Sequence, residues 1–349
     1  MKRIPIETAA PYEVVAGENI LKDAGAYMRA AGVAARKAFI VSDDVVLPLY
    51  GGAVRASLLA AGFQPYTLAF EHGEEHKNLA TIEKILSTLC AAEITRSDVL
   101  VALGGGVVGD VCGFAAAIYL RGVKFVQIPT TLLAAVDSSV GGKTGVDLPA
   151  GKNLAGAFHQ PALVLCDTAV LSALPEKLFS EGMAEAIKYG VIGNAAFFAA
   201  LEEGRADTET VVETSVRAKA AVVKKDEFDT GERMLLNFGH TFGHAIEKLS
   251  GFTVSHGEGV AAGMIFACRY AEKIGFSEEK DITVRLKNAL ARYRLPAECP
   301  FTGAELFPAM AHDKKRAGDK INLILPKRIG RAEICPTPME TVKEVLSEL

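Results

Sequence analysis

An α/β N-terminal nucleotide-binding domain with a parallel sheet, followed by a mostly α-helical C-terminal domain, is the fold class this sequence predicts. Three observations predict it. Short apolar strands alternate with helix-length amphipathic stretches between Lys37 and Cys166, the apolar period turns helical from Pro175 onward, and a glycine-rich run, Gly104-Gly-Gly-Val-Val-Gly-Asp110, stands between a strand and a helix. A chain of 349 residues is long for one core. Two domains are therefore expected, over residues 1–172 and 173–349.

Residues 1–20 alternate apolar and polar in short pieces, as a strand pair at a sheet edge does. Strands follow at Lys37–Ser42, Gln64–Phe70, Asp98–Leu103, Lys124–Ile128 and Ala162–Cys166. The stretches between them, Leu47–Ala61, Asn78–Ala91 and Val107–Leu120, repeat apolar residues at helical spacing. Strands joined by helices of this length imply βαβ units and a parallel sheet. Helices are then expected at Pro175–Tyr189, Ala195–Glu203, Thr208–Lys225, Glu232–Ser250, Glu258–Ile274 and Glu278–Arg292, with two short strands at Lys320–Leu325 and Arg331–Ile334.

Composition narrows the function classes. A net charge of −4 and a pI near 6.0 give no basic footprint for nucleic acid. The longest uncharged apolar run, Val111–Leu120, is too short to span a bilayer, and the N-terminal Met-Lys-Arg-Ile-Pro has no apolar signal core. The six cysteines lie far apart with no CxxC pair, as expected of free thiols in a reducing cytosol. A cytoplasmic protein with no nucleic-acid or membrane partner is expected.

The chemistry centres on Leu235-Leu-Asn-Phe-Gly-His-Thr-Phe-Gly-His-Ala-Ile-Glu247. His240 and His244 stand four apart, on one helix face, and His256 follows. Three of the seven histidines therefore fall within seventeen residues, in a segment whose apolar stripe (Phe242, Ala245, Ile246, Leu249) marks a buried helix. Neutral imidazole is a common ligand of divalent metals, so a metal site outweighs three separate core histidines. Spacing alone favours His240 and His244 as the ligand pair. Glu185, set among Met183, Ala184, Ala186 and Ile187, needs a cation when buried. Glu with two His is the donor set of a catalytic zinc site.

The glycine run matches G-x-G-x-x-G, whose backbone N–H groups approach a pyrophosphate at a helix N-terminus. It follows the third strand, and no acid stands about 20 residues on, so Asp43, past the first strand of the alternating series, is the candidate for holding a ribose. Gly141-Gly-Lys-Thr144 fails as a P-loop because Asp137 occupies the first glycine position. Lys143 and Lys152, both in glycine-rich turns, read instead as part of a cationic pocket for a phosphorylated or carboxylated ligand.

These motifs, with RGVKFVQIPTTLLAAVDSSVGGKTGVD, GKNLAGAFHQP, EGMAEAIKYG, ERMLLNFGHTFGHAIE, SHGEGVAAGM and HDKK, resemble in order and spacing the 3-dehydroquinate synthases, members of the sugar phosphate cyclases, from about residue 37 to 330. The resemblance implies a homodimeric lyase of the shikimate pathway of aromatic amino acid biosynthesis. It would convert 3-deoxy-D-arabino-heptulosonate 7-phosphate to 3-dehydroquinate and phosphate by NAD-mediated oxidation, β-elimination, reduction and intramolecular aldol closure. It implies zinc or cobalt on Glu185, His240 and His256, with His244 turned to substrate. NAD would contact Asp43, Glu74, Lys77, Gly105, Gly106, Asp110, Thr130 and Thr131, with Lys143 and Lys152 close by. The substrate residues implied are Asp137, Lys143, Lys152, Asn153, Lys188, Lys219, Arg233, Asn237, His244 and one of Lys314 and Lys315, with Arg121 reaching the neighbouring subunit's phosphate site. The main rival is a metal- and NAD-dependent polyol dehydrogenase, for which so many cations have no use. A cyclase of glucose 6-phosphate or sedoheptulose 7-phosphate is the second.

Overall fold

The computed structural model describes residues 1–310, 316–317 and 319–349. In chain order it contains β1 (Lys2–Ile6), β2 (Tyr12–Gly17), α1 (Ala24–Ala30), β3 (Lys37–Asp43), α2 (Val46–Ala60), β4 (Gln64–Phe70), α3 (Leu79–Ala91), β5 (Val99–Gly104), α4 (Gly106–Ile118), β6 (Lys124–Pro129), β7 (Lys143–Leu148), β8 (Gly151–Phe158) and β9 (Leu163–Asp167). It continues with α5 (Thr168–Ser172), α6 (Glu176–Gly193), α7 (Ala195–Glu202), α8 (Thr208–Lys225), α9 (His240–Leu249), α10 (His256–Lys273), α11 (Ile282–Arg292), α12 (Gly303–Met310), β10 (Arg316–Ala317), β11 (Lys320–Arg328), β12 (Arg331–Pro338) and α13 (Met339–Leu346).

The chain forms two compact units, Met1–Leu174 with Thr208–Phe228, and Pro175–Asp207 with Asp229–Leu349. The expected division at 172/173 lies close to the first crossing, but it leaves α8 in the second half. The structure packs α8 against β1, β2 and a wide helical turn at Ala134–Ser138, within the first unit. Helical periodicity identifies such a segment as a helix without saying which core its apolar face joins.

The first unit is built on a seven-stranded sheet of order β1-β2-β9-β6-β5-β3-β4, antiparallel only between β1 and β2. Successive residues of β3 serve opposite faces, Ala38 and Ile40 joining one core cluster and Phe39 and Val41 the other. With both faces covered, the inner strands β3, β5, β6 and β9 are buried along nearly their whole length and read as mostly apolar runs, whereas the edge strands β1 and β4 are partly exposed. From β3 the chain first reaches β4 on one side and then β5 on the other. This reversal makes a topological switch point, outside whose carboxyl ends ligands bind in open α/β sheets. Asp43 ends one flanking strand and Gly104 the other.

The segment expected as glycine-rich turns is a hairpin, β7 paired with β8, which places Lys143 opposite Phe158. Glycines weaken a strand pattern, yet here they permit the pairing. A Cβ on Gly156 would stand 2.2 Å from the Thr144 carbonyl oxygen. The second unit holds α6, α7 and α9 to α13 with the antiparallel sheet β10-β11-β12. No helix among the described residues is long and apolar enough to cross a membrane.

Candidate metal centre and nucleotide turn

The second unit gathers the histidines through a close helix crossing. Gly239 and Gly243 on one side, and Gly259 and Gly263 on the other, let the backbones of α9 and α10 approach. A Cβ on Gly243 would meet the Gly259 carbonyl oxygen at 2.8 Å, and one on Gly263 the Gly239 carbonyl oxygen at 2.0 Å. Gly239 also takes φ +81°, a conformation that L side chains resist. It divides the single helix expected over 232–250 into a 3₁₀ turn, Glu232–Asn237, and α9, and makes His240 the first residue of α9. His256 likewise opens α10, behind a Ser255 N–H that donates to Glu258 at 2.9 Å.

Glu185 comes from α6 and is wholly buried. Its Oε1 lies 3.4 Å from His240 Nε2 and 3.5 Å from His256 Nε2, and one donor atom of each of the three residues lies within 4.8 Å of the others. The remaining ring nitrogens are engaged elsewhere. His240 Nδ1 is 3.2 Å from the Phe238 carbonyl oxygen, and His256 Nδ1 is 2.9 Å from Glu247 Oε1. Both Nε2 atoms therefore converge on one carboxylate, and two imidazoles with one carboxylate fit a divalent cation with positions open to substrate. Burial holds His240 well below the usual histidine pKa despite Glu185. Burial also opposes charge on His256, but hydrogen bonds to Glu185 and Glu247 outweigh it and lift the ring to about 10. A bound cation would take the place of that proton.

His244 differs from the pairing that spacing favours. It is exposed, its ring centroid 5.6 Å from that of His240 and 6.2 Å from that of His256, and it is absent from the Glu185 group, though its donor atom lies within 4.8 Å of those of Glu247 and His256. Lys188, one turn along α6, is buried in close contact with Glu185, and its ammonium stands 5.0 Å from the Tyr189 ring centroid. Arg233 is buried in the 3₁₀ turn that also carries Asn237. Lys314 and Lys315 lie outside the described residues.

In the first unit, Gly105 precedes α4 with no side-chain cap on the helix N-terminus, which leaves backbone N–H groups for an anion. A Cβ on Gly105 would stand 3.1 Å from Thr131 Cγ2, and one on Gly109 would stand 2.6 Å from Gln127 Oε1, so these glycines seat the turn and α4 against the sheet. The Thr130 hydroxyl is buried without a hydrogen-bond partner among the described residues, and its backbone N–H donates to the Gly104 carbonyl at 2.9 Å. An orphaned hydroxyl beside an uncapped glycine turn fits a dinucleotide. Asp43, expected at the ribose, also caps α2, its Oδ1 accepting from the N–H groups of Val45 and Val46 at 3.0 and 2.7 Å.

Lys77 is the hub of the same unit. Its ammonium donates to Asp110 Oδ2 at 2.6 Å and to Asn153 Oδ1 at 2.7 Å. Burial opposes its charge, but Asp110 and Glu74 more than offset this and raise its pKa. Asn153, at φ +52°, is held by Asp147, whose Oδ1 accepts from its N–H at 2.7 Å. Lys152 stands 4.0 Å from Glu74. Lys219 of α8 lies 2.9 Å from Asp137 Oδ1 and donates to the Asp137 carbonyl at 2.6 Å. Lys143 is exposed at the start of β7. Arg121 is set apart. It is exposed beyond the C-terminal end of α4, about 20 Å along that helix from the glycine turn, with φ +64° at Arg121 and +49° at Leu120.

Sequence reading passed over two of these participants, Asp147 and Glu247. Glu247 closes the histidine stretch and carries its one legible signal, an acid at the end of an otherwise apolar stripe.

The family profile described as 3-dehydroquinate synthase N-terminal matches residues 67–181, and the one described as 3-dehydroquinate synthase C-terminal matches 182–316. The 3-dehydroquinate synthase of Bradyrhizobium sp. (strain BTAi1) is 46% identical over 342 residues, covering 93% of this chain and 89% of that relative. Among solved structures, a 2-deoxy-scyllo-inosose synthase complexed with carbaglucose-6-phosphate, NAD+ and Co2+ superposes with a TM-score of 0.88 at 26% identity, over 99% of each chain. A 2-epi-5-epi-valiolone synthase from Streptomyces hygroscopicus subsp. jinggangensis 5008, with NAD+ and Zn2+ bound, does so with a TM-score of 0.85 at 26% identity, over 99% of each.

Proposed function

We propose, for a chain that belongs to the 3-dehydroquinate synthase family, that it converts 3-deoxy-D-arabino-heptulosonate 7-phosphate to 3-dehydroquinate and phosphate. The observation that carries the reading at the level of residues is the convergence of His240 Nε2 and His256 Nε2 on Glu185 Oε1. NAD and a divalent ion, zinc or cobalt, are the cofactors, a reading supported by the cyclase structures that hold them. When bound, NAD accepts and returns one hydride, and the ion polarises hydroxyl oxygens.

The chain's own residues do the rest. Glu185, His240 and His256 hold the ion. Gly105, Gly106, Asp110, Thr130 and Thr131, with Asp43, Glu74 and Lys77, hold the dinucleotide. The substrate carries a phosphate and a carboxylate, and an acidic protein needs local cations to bind both. Lys143, Lys152, Lys188, Lys219 and Arg233 supply them, with one of Lys314 and Lys315. Asp137 fixes Lys219 by the two contacts described, so that cation needs little ordering when substrate arrives. Lys152, Asn153, Asn237 and His244 hold the departing phosphate, which accepts the proton lost beside the new ketone.

We also assign the chain to a cytoplasmic homodimer in which Arg121 serves the neighbouring subunit. Its exposure far along α4 from the glycine turn supports a role outside its own site. The test is a phosphate-release assay on the heptulosonate with absorbance followed at the NADH band. Stoichiometric phosphate with no net NADH is expected. Steady NADH accumulation on a simple polyol would point to a dehydrogenase, and preference for glucose 6-phosphate or sedoheptulose 7-phosphate to another cyclase.

A further inference from the structure

Glu247 belongs to none of the groups assigned above. It lies on α9, seven residues after His240, and is 2% exposed. Burying a carboxylate is costly unless it is paired and hydrogen-bonded. One of its contacts is to His256 Nδ1, at 2.9 Å from Oε1. The same ring presents Nε2 to Glu185 at 3.5 Å. The helix crossing leaves room for this arrangement, since a Cβ on Gly259 would press on Glu247 Cγ at 3.1 Å and on Oε1 at 3.4 Å. His240 is supported differently, its Nδ1 facing the uncharged Phe238 carbonyl.

We propose that Glu247 is a positioning residue of the metal centre: it accepts a hydrogen bond from His256 Nδ1–H, fixing the tautomer and ring plane that aim the Nε2 lone pair at the site Glu185 lines. The inference rests on the reading of Glu185, His240 and His256 as the ligand set. A carboxylate behind a ligating imidazole raises its basicity as well as orienting it. His256 is thus the stronger donor of the two imidazoles, and Glu247 the reason.

The experiment uses the full chain stripped of metal by a chelator and titrated with Co2+ against a competing chelator, while the visible spectrum of the bound ion is recorded. Glu247→Ala is expected to weaken Co2+ binding by about 10- to 100-fold and to alter the spectrum. Glu247→Gln keeps an acceptor but loses the charge, and is expected to weaken binding by about 3- to 10-fold. It remains informative where the alanine variant fails to fold. Wild-type affinity and an unchanged spectrum in the glutamine variant would overturn the proposal, whatever the melting temperature does. Glu185→Gln is the control. If that variant binds Co2+ as tightly as the wild type, the ligand set itself is wrong and Glu247 falls with it, a failure separable from that of Glu247 alone.

Discussion

The carbonyl oxygen of Gly239 lies 2.0 Å from the point that a Cβ on Gly263 would occupy. No side chain fits there without separating α9 from α10, and that separation would carry His240 away from His256. Gly263→Ala is therefore expected to destabilise the protein by about 3 kcal/mol, as overpacking in a tight core does, and to lower bound zinc. Urea unfolding with metal analysis of the purified variant checks both. A stable variant with full zinc would show that the crossing does not set the histidine geometry.

Lys77 and Asp110 form a largely buried pair. Lys77→Met leaves the carboxylate without its cation and should cost about 3 kcal/mol, the lower end of the range for breaking such pairs because Asp110 keeps 20% side-chain exposure. The double variant Lys77→Met with Asp110→Leu is expected to regain more than half of that loss. Calorimetric titration with NAD should show weaker binding in the single variant, and a chain without tryptophan makes calorimetry preferable to intrinsic fluorescence.

Asp98 gives the fold of the first unit an acid-sensitive contact. Burial works against its charge, but the N–H groups of Lys37 and Thr95 and the Thr95 hydroxyl lower its pKa below the ordinary 3.8. A depressed carboxylate stabilises the fold above its unfolded value, and that contribution is lost as pH falls through the folded value. Asp98→Ala should cost about 2 kcal/mol at neutral pH. The gap from wild type should stay constant from pH 7 to 5 and narrow only below 3.8. Denaturant melts at pH 7, 5 and 3.5 measure it, and a gap already closing between pH 7 and 5 would contradict this assignment.

The inner strands of the first unit's sheet were legible because strands covered on both faces are mostly apolar runs, while the edge strand Gln64–Phe70, partly exposed, and the helix Thr208–Lys225 also match their expected bounds. The hairpin Lys143–Phe158 was not legible, since its glycines and lysines carry the signature of turns. Gly239 hid its effect for another reason. A glycine inside a helical period looks tolerable until the backbone of a second helix is placed against it. Spacing chose His240 and His244, neighbours on one helix, whereas the structure brings together His240 and His256 from two helices with Glu185 from a third. Such a set depends on tertiary packing, which no local period encodes. Glu247 shares that fate, because its partner ring sits on α10.

Zinc content of the Glu185→Gln and His256→Ala variants, measured beside phosphate release from the heptulosonate, tests the central claim most directly. The account predicts near-zero bound zinc and loss of activity in both variants, with circular dichroism unchanged. Full zinc occupancy in either variant would contradict it.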